Sequence, residues 1–335
     1  MKRYLSLLLL LCLAMPLVHA QQKLTPQDKQ SLLKQQDSLR LLGDEMLRGK
    51  NDDARHNAML AFIPRLVRAL KTKNSFYFPF DSLETVAIKY PKDSTFRIFT
   101  WVDVTDNGFF SHHGTIQMRT ADGSLKLFPL IDSSEYINNA DTITSNRAWY
   151  GCLYYNIVQT HFFNQEYYTL CGWDGNNPRS QKKLLDVLTF KDGQPVFGAP
   201  MFSFEEDSVK RPTQNRFFLE YKKDANVTLN YYPDMDMIVY DHLISESNEP
   251  RKKFTYVPDL DYEAFKWKNG KWVHIDKIFH DKLQNGQAPA PMPLDMKEKD
   301  NTHIQSEEEV QAAQAAKAAA SPQKSSKKKT PAKKP

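Results

Sequence analysis

Apolar positions near the start of the chain recur with the period of a helix. One stripe is formed by Leu32, Leu39, Leu42 and Met46. Thr25, Pro26 and Asp28 precede it as an N-cap hydroxyl, a proline at the first helical position and an acid in the first turn. This pattern predicts an amphipathic helix that begins at about residue 26.

A second helical stripe follows the first. Its apolar members are Met59, Ile63, Leu66 and Leu70. Pro64 lies among them and is expected to kink or break the helix. Two such stripes predict a helical segment over residues 21–74 that packs together and against the next domain.

From about Ser75 the pattern changes to short aromatic and β-branched runs separated by turn dipeptides, which is typical of antiparallel sheets. Three dipeptides tolerate the positive φ angles of a tight type I′ turn, namely Asp122-Gly123, Asp192-Gly193 and Asn269-Gly270. The last of these turns places Trp267 opposite Trp272.

The apolar alternation is clearest between Arg216 and Leu243. Turns centred on Asp224 and Asp234 predict three neighbouring strands with one buried face. The predicted cross-strand pairs are Tyr221 with Val227, Leu219 with Leu229, Phe217 with Tyr231, Tyr231 with Met237, and Leu229 with Val239.

The sequence therefore predicts a mainly β protein. We expect a large antiparallel β domain over residues 75–284, with the N-terminal helical segment packed on it. A meander, a barrel, a sandwich and a propeller-like arrangement all remain open, because no fixed repeat period selects among them.

The first twenty residues predict a cleavable signal peptide. Lys2 and Arg3 precede an uncharged stretch over residues 4–18, and small Ala20 stands at the expected cleavage position. Cys12 follows Leu11, whereas a lipoprotein signal requires a small residue there. We therefore expect an exported protein in the periplasm, at the outer membrane or outside the cell, with no transmembrane segment after cleavage.

Charge is concentrated at the two ends of the chain. The formal net charge is +5, yet residues 317–335 carry seven lysines and no acid, and the signal peptide adds two positive charges, which leaves −4 for residues 21–316. Nucleic-acid binding by the folded domain is therefore not expected. Residues 285–335 predict a low-complexity, Lys-rich, disordered tail with an Ala-rich helix as an option, which either contacts anionic surfaces or is simply solvated.

Two cysteines remain after the predicted cleavage. If Asn164 and Gln165 form a turn, Cys171 lies opposite Val158 and far from Cys152. Two buried free thiols are therefore favoured over a disulfide.

Three histidines are candidates for chemistry. His112 and His113 resemble metal ligands, but neighbours on a strand point to opposite faces, so a surface or loop position is favoured. His242 follows Asp241, although alternation separates those two side chains as well. No metal ligand is assigned.

One turn combines an aromatic ring with several oxygen ligands. Trp173, Asp174, Gly175, Asn176 and Asn177 follow a predicted strand. They either hold calcium, the one cofactor considered, or the hydroxyls of a glycan, or they cap a tight turn through their own backbone.

Asp259 and Asp261 are the weak catalytic candidates, together with His242. Two carboxylates close together can hydrolyse a glycoside. A turn directed by Pro258, with two solvated acids, explains the same residues.

Three stretches resemble a family of uncharacterised secreted proteins of Bacteroidota. They are FRIFTW at 96–101, YYTLCGWDGNN at 167–177 and MIVYDHL at 237–243. The resemblance covers roughly residues 76–272 and implies an envelope or extracellular setting. It implies no activity and no catalytic residue.

The favoured function is a non-catalytic envelope or extracellular protein that binds a glycan or a protein partner. The alternative is a secreted hydrolase of a polysaccharide or an ester. No nucleophile elbow, zinc-protease helix, phosphate loop or paired cysteine motif occurs in the sequence.

Overall fold

The first predicted helix is present and begins as expected. The computed structural model describes residues 24–278, so the predicted signal peptide and the tail lie outside the described residues. Helix α1 spans Pro26–Arg48, and the Thr25 hydroxyl accepts a hydrogen bond of 3.0 Å from the backbone N–H of Asp28. Leu32, Leu39 and Met46 are fully buried. The predicted cap and apolar stripe are confirmed.

Helix α2 spans Asp52–Leu70 and continues through Pro64, so the expectation of a break was wrong. Its N-cap is Asn51, whose side chain accepts a hydrogen bond from the backbone N–H of Ala54. Phe62 takes the buried position that was predicted for Ile63, which is 37% exposed. No helix in the described range is long and apolar enough to cross a membrane.

The described strands form three sheets. The first sheet contains, in this order, β1 (Ala87–Lys89), β2 (Phe96–Val104), β3 (Phe110–Met118) and β4 (Lys126–Ile131). The second contains β5 (Thr144–Ser145), β6 (Leu153–Phe162), β7 (Gln165–Asp174), β8 (Ser180–Lys191) and β9 (Gln194–Phe197), in the order β5-β9-β8-β7-β6.

The remaining strands form the third sheet, apart from one that joins the second. They are β10 (Phe202–Phe204), β11 (Arg211–Gln214), β12 (Phe217–Lys222), β13 (Leu229–Tyr232), β14 (Met237–Ser245), β15 (Tyr256–Lys268) and β16 (Lys271–Ile275). The third sheet has the order β11-β10-β16-β15-β14-β13, while β12 pairs with β8. All strand pairs are antiparallel except β10 with β16. The predicted mainly β, antiparallel fold with an N-terminal helical segment is confirmed.

The three sheets and the helix pair are stacked as layers. Phe99 and Trp101 of β2 pack with the helices, whereas Phe96 and Ile98 of the same strand pack with the second sheet. The other face of the second sheet packs against the third sheet in a further apolar cluster. Because β2, β7 and β8 are covered on both faces, they contain continuous buried runs rather than a simple alternation.

The three predicted turn dipeptides all connect paired strands. Asp192-Gly193 and Asn269-Gly270 form two-residue turns with positive φ at both central positions, as type I′ geometry requires. Trp267 pairs with Trp272, as predicted. The loop at Asp122-Gly123 is longer, since the flanking pair is Met118 with Lys126, and only Gly123 has a positive φ.

The predicted meander between Arg216 and Leu243 is partly wrong. Strand β12 does not pair with β13; it pairs with β8, so that Leu219 lies opposite Lys183. The β13–β14 hairpin exists, but its register places Leu229 opposite Tyr240 rather than Val239. The reason is that alternation with period two indicates which face of a strand is buried but does not identify its partner.

The cysteines are free and buried, as favoured. The turn between β6 and β7 lies one residue earlier than predicted, so Cys171 pairs with Asn156 rather than Val158. Burial raises the pKa of the Cys171 thiol to about 12. Both thiols therefore act as small apolar side chains.

We predict that Gly270→Ala destabilises the protein more than Gly193→Ala. Both glycines have φ above +70°, where a Cβ costs about 1 kcal/mol. A Cβ on Gly270 would also lie 2.4 Å from the Phe162 ring, whereas the nearest atom to one on Gly193 is 3.8 Å away. Urea unfolding of both variants measures the difference, and equal losses of unfolding free energy would contradict the prediction.

Candidate functional site

A cleft opens where the first sheet meets the second. Its volume is about 720 Å³, which is in the range of small-molecule sites. Strand β3 contributes His112 and Phe110, the end of β4 leads to Asp132, and the end of β7 contributes Asp174. The site is therefore assembled from chain segments that are far apart in sequence.

The floor of the cleft is an imidazole between two carboxylates. His112 is 3% exposed; its Nδ1 lies 3.5 Å from Asp132 Oδ2 and its Nε2 lies 3.6 Å from Asp174 Oδ1. Within the described residues, His112 Nε2 has no hydrogen-bond partner. The expected surface or loop position of His112 was wrong, because β3 is covered by both neighbouring layers.

Asp132 is held in place by backbone contacts. Its carboxylate accepts hydrogen bonds from the backbone N–H groups of His112, Ser134 and Gly151. A Cβ on Gly151 would lie 2.2 Å from Asp132 Oδ2, so this close approach requires glycine. Burial alone would raise the pKa of Asp132, but His112 and the bonds from Ser134 lower it well below its usual value. Asp132 is therefore a fixed negative charge.

Asp174 faces a lysine that also contacts a tyrosine. Lys182 Nζ lies 3.8 Å from Asp174 Oδ2 and donates a hydrogen bond of 3.0 Å to Tyr150 Oη. Burial would lower the pKa of Lys182, but Tyr150 and Asp174 raise it overall. Burial also raises the pKa of Tyr150, although Lys182 opposes that shift. Lys182 is therefore charged and Tyr150 neutral at neutral pH.

The turn from Trp173 to Asn177 borders the cleft. Asp174, Asn176 and Asn177 line it, while Trp173 packs edge-on against Phe110 with ring centroids 5.5 Å apart. Asp174 Oδ1 accepts from the backbone N–H of Asn176, and Asn177 Oδ1 accepts from the backbone N–H of Ser180. These contacts are those of a capped tight turn. The side chains of Asp174, Asn176 and Asn177 nevertheless line the cleft.

Three apolar side chains lie exposed at the mouth of the cleft. Phe109 and Ile131 are about half exposed, and Tyr136 is 81% exposed. Tyr136 ends the short 3₁₀ helix Ser134–Tyr136, which directly follows Asp132. The chain thus places an open aromatic rim above a charged floor.

The histidine next to His112 faces the opposite side of the sheet, as alternation predicts. The ring of His113 stacks on Trp101, which belongs to the core between the helices and the first sheet. Burial lowers the pKa of His113. The two histidines therefore do not share one ligand.

The three weak catalytic candidates lie away from this cleft. His242 Nδ1 is 2.9 Å from Asp259 Oδ2, on the pair formed by β14 and β15. Asp261 forms a separate ion pair of 2.8 Å with Lys277. His242 and Asp259 are thus brought together, and the backbone N–H of Asp261 donates a hydrogen bond of 3.1 Å to Asp259 Oδ1, while the Asp261 carboxylate points to Lys277 instead.

Sequence reasoning missed Asp132, Tyr136, Tyr150 and Lys182. Asp132 and Tyr136 belong to a loop without a chemical motif, and Lys182 lies in the interior of a strand. The signal that was available was the oxygen-rich turn after β7. Its partners depend on how the first two sheets meet, which no local pattern indicates.

A metal site is not apparent at these positions. Among residues 24–278, no group of three or more histidine, cysteine, aspartate or glutamate side chains is arranged to hold a metal ion. Calcium binding at Asp174 stays a prediction, as does the resemblance to the Bacteroidota family. Comparisons of the chain with protein-family models, with curated proteins and with solved structures each found no match.

Proposed function

We propose that this protein is a non-catalytic binding protein whose cleft holds a glycan. The observation that carries the proposal is the exposed aromatic rim above a polar floor. Monomeric proteins seldom leave large apolar side chains clustered in the open without a role in binding. At this cleft, Phe109, Ile131 and Tyr136 are exposed together.

The rim suits a sugar ring because one face of a pyranose is lined by C–H groups. Such a face stacks on an aromatic side chain, which has a large apolar body. Tyr136 is exposed over most of its surface, so a sugar can reach its ring without any rearrangement. A protein partner is less favoured, since the site is concave and of small-molecule size.

The floor suits the hydroxyl groups of the same ligand. Carboxylates accept hydrogen bonds from hydroxyls, and Lys182 donates them. Asn176 also lines the cleft, and its hydrogen bonds to protein neighbours use its N–H groups, which leaves its amide oxygen as an acceptor. Acceptors and donors at fixed positions distinguish one arrangement of hydroxyls from another.

We predict that Tyr136→Ala lowers glycan affinity at least about tenfold, because it removes the most exposed ring of the rim. Isothermal titration of the protein with oligosaccharides of glucose, glucosamine and N-acetylglucosamine measures this effect. Phe163→Ala is the matched control, since Phe163 is 80% exposed and lies outside the cleft. An equal loss in both variants, or no binding of any oligosaccharide, would contradict the proposal.

The same titration tests the alternative function. Cleavage of a bound oligosaccharide would favour the secreted hydrolase, whose candidate residues are His242, Asp259 and Asp261. The contact between His242 and Asp259 supports that alternative, but neither residue lines the cleft.

The proposal includes export from the cytosol. Its support is the charge and apolar pattern of the first twenty residues, with Ala20 at the expected cleavage position. A glycan-binding cleft fits a location in the envelope or outside the cell, where polysaccharides are accessible.

A further inference from the structure

Acidic side chains outnumber basic side chains in the lining of the cleft. Asp132, Glu135 and Asp174 supply three carboxylates to the lining, whereas Lys182 supplies one ammonium group. Lys223 lies just beside the lining, with its Nζ 4.6 Å from the Phe110 ring centroid. Even with Lys223 included, carboxylates outnumber ammonium groups by three to two, which favours a cationic ligand.

Glu135 is the carboxylate that a ligand meets first. It is exposed and directly precedes Tyr136, and within the described range it forms no ion pair. An exposed acid beside an exposed aromatic ring provides two kinds of attraction for an ammonium group, namely its charge and the face of the ring.

The floor of the cleft contains a buried imidazole whose hydrogen bonding is incomplete among the described residues. His112 is buried, and its Nε2 has no hydrogen-bond partner among the described residues, since Asp174 Oδ1 lies 3.6 Å away. Asp174 Oδ2 lies 3.8 Å from Lys182 Nζ, too far for a direct hydrogen bond. Buried polar groups nearly always have partners, so an unpaired group beside a cleft points to a missing ligand.

We propose that the cleft selects a glycan with free amino groups, an amino sugar. This inference rests on the proposed function and specifies its ligand. The ammonium group pairs with Glu135 at the rim or with Asp174 on the floor, and the sugar ring stacks on Tyr136. A lysine-rich peptide is less favoured, because an alkyl ammonium chain offers no hydroxyls to Asn176 and Lys182.

The test compares three oligosaccharides of equal length and linkage. They are the glucosamine oligomer, its N-acetylated form and the glucose oligomer. We expect the glucosamine oligomer to bind the full chain at least about tenfold more tightly than the other two at low salt, with the preference decreasing as salt is added. Equal affinity of all three would overturn the amine inference and leave the proposed function intact.

Two variants test which carboxylates cause the preference for the glucosamine oligomer. Glu135→Gln should reduce the preference for the glucosamine oligomer over the glucose oligomer several-fold, and Asp174→Asn should act in the same direction. Glu84→Gln is the control, since it removes an equal charge from an exposed position outside the cleft. The same loss of preference in Glu84→Gln would overturn the inference, because it would indicate a long-range effect of net charge.

Two further outcomes are decisive. A lysine oligopeptide that binds as tightly as the glucosamine oligomer would overturn the assignment to a sugar. The absence of binding by all three oligosaccharides would overturn both this inference and the proposed function. Glu135 is exposed, so the Glu135→Gln variant is expected to fold and the test stays informative if Asp174→Asn does not.

Discussion

Arg216→Met is expected to lower the free energy of unfolding by about 3–5 kcal/mol, the largest single effect predicted for this protein. Arg216 Nε lies 2.9 Å from Asp186 Oδ2, and both side chains are fully buried. Arg216 also donates hydrogen bonds to the backbone carbonyls of Ala140 and Thr142. Without the guanidinium, a buried carboxylate and two carbonyl groups lose their partner. Urea unfolding measures the loss.

A surface ion pair supplies the matched control. Arg48 is 70% exposed and Asp44 is 38% exposed in their ion pair, so Arg48→Met should cost at most about 1 kcal/mol. Burial raises the pKa of Asp186, and Arg216 opposes that shift. The double variant Asp186→Leu with Arg216→Met should therefore recover part of the loss, because it also removes the isolated acid. Equal costs for Arg216→Met and Arg48→Met would refute the prediction.

His274→Phe is expected to lower the free energy of unfolding by about 2–3 kcal/mol at neutral pH, because it removes the imidazolium that pairs with two carboxylates. His274 Nδ1 lies 2.7 Å from Asp207 Oδ1, and Nε2 lies 2.9 Å from Glu263 Oε2. The ring is buried against Phe204 and Phe265. Both ring nitrogens therefore face acceptors, which favours the doubly protonated form.

The same residue predicts a pH dependence of stability. Burial alone would lower the pKa of His274, but Glu263 and Asp207 raise it overall above its usual value of 6.5. Because the pKa of His274 is higher in the folded state, the charged ring stabilises the folded protein fully below the unfolded-state pKa. This contribution is lost as pH rises through the folded-state pKa. The unfolding midpoint should therefore decrease as the pH rises above about 6.5 and through the folded-state pKa.

Replacement of His274 should remove most of that decrease. Thermal unfolding of the wild type and of His274→Phe across this pH range measures the change in slope. His161→Gln is the control, since solvent screens the exposed contact of His161 with Glu166, and this variant should change the slope less than His274→Phe does. A variant His274→Phe that keeps the wild-type slope would show that another group causes it.

These two residues hold together parts of the fold that the candidate site does not use. Arg216 connects β12 and the second sheet to the segment over residues 140–144. His274 connects β15 and β16 to the loop that carries Asp207. Neither Arg216 nor His274 lines the cleft, so both stability variants can be separated from the binding variants.

Parts of the fold that depend on neighbours in sequence were predictable. The cap at Thr25 requires only the backbone N–H of Asp28, and the turn at Asn269-Gly270 requires only two residues that tolerate positive φ. The partner of β12 was not predictable. Phe217 and Tyr221 alternate in the same way whether their strand lies beside β13 or beside β8.

The candidate site likewise contains parts that were predictable from the sequence and parts that were not. The oxygen-rich turn at Asp174 follows a strand and is visible in the sequence as a combination of an aromatic ring, a glycine and side-chain oxygens. His112 was visible as a histidine but was expected at the surface. Its burial depends on coverage of the first sheet by helices on one side and by the second sheet on the other.

The sequence by itself determined the order of helices and strands, the caps, the two-residue turns and the mainly antiparallel β class, because each depends on local backbone preferences and on the spacing of apolar side chains. Only the tertiary structure decided which strands pair and which charged groups meet. Asp132, His112, Asp174 and Lys182 converge because two sheets come into contact. Contacts between distant segments depend on the packing of the whole chain, and a pattern with a period of two or 3.6 residues carries no information about them.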